Sequence, residues 1–188
     1  IQPMILVFPD ASNKLGGSLY RSSPTIGDYE TYITKELVQQ IDASYRTLLK
    51  SESRGVMGCS MGGMGTFHLA LKYPNIFSVA APMSFPGFDY EHDSNWETGK
   101  QGFTFEPKQE SDFSLLSEIN QFNFALAAAM APNPEKPPFY IDMPFEIVDG
   151  KAQIVPEVFI KINDAINPLN EVRDYLAQPI RLRAMLIT

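Results

Sequence analysis

Apolar positions fall in short, dense runs early in the chain and in wider-spaced sets further on. The run Met4-Ile5-Leu6-Val7-Phe8, stopped by Pro9-Asp10, predicts a strand buried on both faces, the kind that parallel sheets contain. A polar stretch with Gly16-Gly17-Ser18 and Ser22-Ser23-Pro24 predicts a loop. Asp28 has the character of an N-cap, and Tyr29, Ile33, Leu37, Ile41 and Tyr45 then recur every four residues, which puts them on one helical face. Residues 54–59 read as a strand, 60–73 as a helix ended by Pro74, and 77–83 as a third strand, with Pro82 near its end, where a lost ladder donor does least harm. Strand and helix alternate, which predicts right-handed βαβ units in a parallel sheet.

Past residue 84 the pattern changes. Residues 85–111 carry no periodicity, and Leu115, Ile119, Phe122, Leu126 and Met130 then mark an amphipathic helix. Prolines 132, 134, 137, 138 and 144 cluster in a loop. Residues 145–148 and 152–155 flank Asp149-Gly150, the signal of a hairpin. Pro156 suits the first position of another helix. Asn167-Pro168 suits a second cap, followed by Leu169, Val172 and Leu176 on one face, and residues 180–188 read as a last strand. The expected organisation is one domain over 1–188, with 85–166 a cap-like insertion and 168–188 a return to the sheet.

Composition narrows this little. With 44% hydrophobic and 20% charged residues the chain can bury an ordinary core. The formal charge of -7 argues against nucleic acid and other polyanion partners, which are bound through excess Lys and Arg, and against docking on an anionic membrane. No apolar run approaches the roughly 20 residues that span a bilayer. Cys59 is the single cysteine, so no intrachain disulfide forms, and this leaves the compartment, cytoplasmic or secreted, open.

The chemistry points to Gly58-Cys59-Ser60-Met61-Gly62. A G-x-S-x-G alone is weak, but here it follows a strand-like run and opens a helix, the setting of a nucleophile elbow. Such a turn holds the serine at strained backbone angles and lifts its hydroxyl above the sheet. Side chains at Gly58 and Gly62 are expected to collide with neighbouring backbone, while Gly63 and Gly65 let the helix pack closely. The Met61 amide, in the first turn of the helix, is placed to donate to an oxyanion. Neither a phosphate-loop nor a dinucleotide-binding glycine pattern is present. Cys59 is expected to point into the core as filler, and Met61 and Met64 suit either an acyl pocket or the core.

The stretch Gly58 to Gly65, followed by Leu69-Ala70-Leu71-Lys72-Tyr73-Pro74 and Phe77, resembles the "putative esterase" family, the esterase D branch of the α/β hydrolases. That branch includes S-formylglutathione hydrolases, feruloyl and acetyl-xylan esterases, enterochelin esterases and mycolyltransferases. Ile5-Leu6-Val7-Phe8-Pro9-Asp10 and Tyr29 to Ile33 also match its habits, so the likeness is good over 1–90, poor over the insertion and faint at the last strand. The resemblance implies an α/β-hydrolase fold, a central mostly parallel sheet with helices on both faces. It implies Ser60 as nucleophile and the Met61 backbone N–H as oxyanion donor. It also implies that the family's first oxyanion loop, catalytic acid and histidine lie outside these residues, so that the chain is truncated at both ends.

A serine hydroxyl needs a base. His68 lies eight residues into the helix, about 12 Å along its axis at about 1.5 Å per residue, and reads as a packed or solvated helix residue. His92, in Asp89-Tyr90-Glu91-His92-Asp93, sits in a loop of the kind that rings such sites. It would break the order serine, acid, histidine. The same cluster has carboxylates for calcium but lacks the spacing of a calcium loop. The phenylalanines of the insertion (103, 105, 113, 122 and 139) and Tyr140 could cover an acyl pocket, and Trp96 could stack on a sugar or phenolic ring, although ordinary packing explains each.

These residues therefore point to a serine hydrolase cleaving esters or thioesters, without cofactor or metal, on a small-molecule or carbohydrate-linked ester. The alternatives are an acyltransferase with the same nucleophile and an inactive fold that only binds. An unpaired sheet edge leaves homo-oligomers open.

Overall fold

A computed structural model describes residues 3–84 and 94–188, with the side chains of 94–96 left aside. Two short strands, β1 (Ser22–Ser23) and β2 (Gly27–Asp28), pair antiparallel and lead into helix α1 (Tyr29–Thr31). Asp28 caps it as expected, accepting from the Thr31 amide at 3.1 Å. The helix widens into a π-turn over Tyr32–Glu36 before resuming as α2 (Leu37–Ser44). A wider turn rotates the residues that follow it. Ile33 of the predicted stripe is buried, whereas Tyr45 leaves the helix and is exposed.

The centre is β3 (Gly55–Cys59), α3 (Met61–Lys72) and β4 (Val79–Met83). Strands β3 and β4 run parallel with Gly55 opposite Val79 and Cys59 opposite Met83. Helix α4 (Ser94–Gly102) packs on α5 (Glu118–Met130). A hairpin follows, β5 (Phe145–Val148) and β6 (Lys151–Ile154), turning through Asp149 and Gly150 at φ 51° and 72°, the left-handed pair of a type I′ turn. Helix α6 (Pro156–Ile166) starts on its proline, and α7 (Pro168–Leu176) is capped by Asn167, which accepts from the Leu169 amide at 2.9 Å. Strand β7 (Ala184–Met185) completes a parallel sheet in the order β3-β4-β7. The chain stays paired beyond it, Leu186 donating to Ala80 and Thr188 to Pro82. The expected strand over 180–188 is thus real but shorter.

Residues 4–8 form no strand. Their backbone pairs with no other strand among the described residues, and their side chains stay open to solvent, with Met4 74% and Phe8 87% exposed. An apolar run becomes a buried strand only where neighbours bond its two edges and cover its faces. Helix α3 covers one face of the sheet, where Ala80 is buried. The other face carries exposed Met57, Val79 and Leu186.

The largest apolar core lies away from the sheet, around α5. Residues 123–130 of this helix are all buried, and they pack with Phe103, Phe139, Phe145, Ile162 and Ile166. A helix stretch buried on every side belongs to a core helix rather than a surface one. Leu115, expected on its face, instead lies 70% exposed in the 3-10 turn before it. Leu19 and Met64 tie this core to the loop before β1 and to α3. Helix α4 falls where no periodicity was expected. It is positioned by close approach: a Cβ on Gly99 would lie 2.5 Å from Asn123 Nδ2, and the Gly99 carbonyl accepts from Asn120 at 3.1 Å.

Candidate functional site

Between β3 and α3 the backbone turns within one residue. Ser60 sits at φ 55°, ψ −119°, a conformation that costs a non-glycine residue on the order of 1–3 kcal/mol and persists only where the surroundings impose it. Two hydrogen bonds do so: the Ser60 amide donates to Met83 O at the end of β4, and the Ser60 carbonyl accepts from Met64, both at 3.0 Å. The side chain makes no capping bond to α3, and the residue is exposed. Its hydroxyl is therefore free for other partners. Met61 starts α3, so its N–H is among the first-turn amides that have no acceptor within the helix.

The turn explains one of its glycines directly. A Cβ on Gly58 would lie 2.4 Å from the Gly62 carbonyl oxygen and 2.9 Å from its Cα. Gly62 differs from the expectation: the nearest atom to a Cβ there is Tyr20 Oη at 3.9 Å, so it has room. Gly58→Ala should therefore destabilise the chain by about 2–3 kcal/mol, since both clashing groups are backbone. Gly62→Ala should be neutral or stabilising by up to about 1 kcal/mol, since alanine is the better helix former. Urea midpoints of the two variants check the contrast.

Gly65 makes room for a side chain rather than for the sheet. A Cβ there would stand 2.2 Å from the Tyr20 ring. Tyr20 belongs to a loop that lies across the first turn of α3. Asn13 Oδ1 accepts from the amides of Leu15 (2.8 Å) and Gly17 (3.2 Å), and Ser18 Oγ accepts from Tyr20 N (3.1 Å). Gly17, at φ 125°, rests on the Met61 thioether. Leu19 and Tyr20 both have positive φ, 51° and 58°, and Leu19 is fully buried.

Two expectations about neighbours change. Cys59 is exposed: alternation along β3 puts it with Met57 on the face opposite α3, and that face is open. Met64 is buried in the main core and Met61 packs against it, so the two methionines serve packing.

His68 is buried and works elsewhere. Its Nδ1 lies 2.8 Å from Glu171 Oε1 on α7, and its Nε2 lies 3.2 Å from Glu30 Oε1 on α1. Arg21 also binds Glu171, while Lys72 (2.6 Å) and Tyr73 bind Glu30. Burial alone would raise the Glu30 carboxyl, but hydrogen bonds from His68, Lys72 and Tyr73 overcome it and hold the group well below the usual range. Burial likewise opposes ionisation of Glu171, and His68 and Arg21 reverse it. Burial, then Glu30, pushes the Tyr73 phenol above its usual range. With both ring nitrogens engaged, His68 has none to offer Ser60. His92, Asp89, Glu91 and Asp93 lie outside the described residues, as does the Trp96 side chain. No helix among the described residues is long and apolar enough to cross a membrane.

The chain is similar to several known proteins to different extents. S-formylglutathione hydrolase FrmB of Staphylococcus aureus aligns at 16% identity and a TM-score of 0.46 over 90% of this chain and 47% of its own. MPT51 (FbpC1) of Mycobacterium tuberculosis aligns at 14% and 0.38 over 90% of this chain and 64% of its own. Esterase MT1326 of Mycobacterium tuberculosis strain CDC 1551 / Oshkosh is 34% identical over 90 residues, as is Esterase Rv1288 of strain H37Rv. The match takes in 45% of this chain and 19% of each relative, so the shared stretch spans about a fifth of their length. The family described as "Putative esterase" matches residues 9–117, more than half of the chain, and takes in the loop across α3, the serine turn, α3 and β4. On that match the chain belongs to the "Putative esterase" family.

Proposed function

We propose that the chain acts as a serine hydrolase on carboxylic esters or thioesters, with Ser60 as nucleophile. The observation that carries this reading is the positive φ of an exposed serine between a parallel strand and a helix N-terminus. Family membership favours ester chemistry, and neutral small-molecule esters suit a chain without basic excess.

In the first step Ser60 Oγ attacks the acyl carbon and loses its proton to a base. The carbonyl electron pair moves onto oxygen, where the Met61 N–H donates to it. Collapse expels the alcohol or thiol, which takes up a proton and leaves an ester on Ser60. Water attacks that ester in turn, releasing the acid and restoring the hydroxyl. His68 is not the base, because Glu30 and Glu171 hold it. In this reading residues 85–166 form a cap-like insertion in one domain, built around α5.

A fluorophosphonate probe tests the assignment. The expected result is one covalent adduct, mapped by peptide mass spectrometry to Ser60 and missing from Ser60→Ala. Labelling elsewhere, or none, overturns it.

A further inference from the structure

A cavity of about 510 Å³ opens beside the loop that crosses α3, lined in part by its residues Asn13, Lys14 and Leu15. Leu15, Ile26, Phe113, Pro138, Phe139 and Tyr140 supply its apolar wall. Its size lies within the roughly 300–1,000 Å³ of small-molecule sites.

Most of the polar groups around it are already committed. Thr25 donates its hydroxyl to the Tyr140 carbonyl at 2.6 Å. Asn13 Oδ1 accepts from two loop amides, which leaves its buried, unpartnered Nδ2 as a single spare donor. Lys14 and Glu110, both well exposed, pair at 3.2 Å and cancel each other's charge. The wall thus offers too few polar groups for a polyhydroxylated sugar, most of whose hydroxyls would give up water without replacement, and no net charge to an ion. It does offer three rings, one of them the half-exposed Tyr140 held at φ 56°. Ring edges and faces favour another aromatic group beyond the area they bury.

We infer that this cavity binds an uncharged aryl group of about naphthyl size. The same loop continues through Gly16, beside the Phe113 ring, to Gly17 on Met61. The aryl site and the serine turn therefore share one loop.

Methyl NMR of Ser60→Ala titrated with 2-naphthol tests this without needing chemistry at Ser60, so failure of the hydrolase reading leaves it standing. Saturable shifts are expected at Leu15 and Ile26, with no response to methyl glucoside. Ile26→Trp, which fills the cavity, should weaken binding at least tenfold. Tyr140→Asn, which keeps a residue tolerant of positive φ, should weaken it at least threefold and reads the same site if the first variant fails to fold. Shifts confined to Met57 and Leu186 on the open sheet face, equal binding of the glucoside, or unchanged affinity in a folded variant overturns the inference.

Discussion

Ser60→Ala is expected to lower turnover of an activated ester such as 4-nitrophenyl acetate by up to about 10⁶-fold in kcat, the scale on which serine hydrolases lose activity without their nucleophile. Stability should scarcely move, because the residue is exposed and makes no capping bond. Ser60→Gly sharpens the point. Glycine adopts the positive φ of this turn without strain, so the variant should be inactive yet more stable by about 1 kcal/mol. A residue whose removal ends activity and steadies the fold is placed for chemistry. Parallel kinetics and thermal melts decide it; a Ser60→Gly variant that keeps most of its turnover refutes the assignment.

Glu30→Ala is expected to have the largest effect on folding. It strips an anion from buried His68 and from Lys72 and Tyr73 at once. Each buried donor left without its acceptor costs about 1–3 kcal/mol, so the loss at His68 and Tyr73 together is a large part of the roughly 5–15 kcal/mol that a domain has. The pH dependence follows from the same bonds. Glu30 and Glu171 both ionise below their unfolded values, so their contribution is complete above about pH 4.3. It fades as pH falls below that toward the lowered folded-state values. Wild type should lose stability steeply in that acid window, and Glu30→Ala should show a shallower slope there. Urea midpoints across pH 3–7 measure both, and equal slopes would show that Glu30 is not stabilised as its bonds imply.

The elements around Ser60 were legible because their signals are local. Gly58, Ser60 and the helix formers after them specify the turn within a few residues, and Asp28, Asn167 and Asp149-Gly150 do the same for caps and a hairpin. What failed depended on distant partners. Residues 4–8 have strand composition but no paired neighbour among the described residues. Helix α4 is fixed by Gly99 against Asn123 and has no apolar stripe to announce it. His68 looked ordinary because Glu30 precedes it by 38 residues and Glu171 follows by 103. Cys59 was misplaced for a related reason: alternation gives its side of the sheet, and only packing tells whether that side is covered.

Tyr20 and Gly65 leave a final consequence, one that concerns descent. The ring occupies the space that any Cβ at position 65 would need. Neither position can drift alone: a larger residue at 65 evicts the ring, and a small residue at 20 uncovers the helix. In sequences descended from this one the two sites should change as a pair, or not at all.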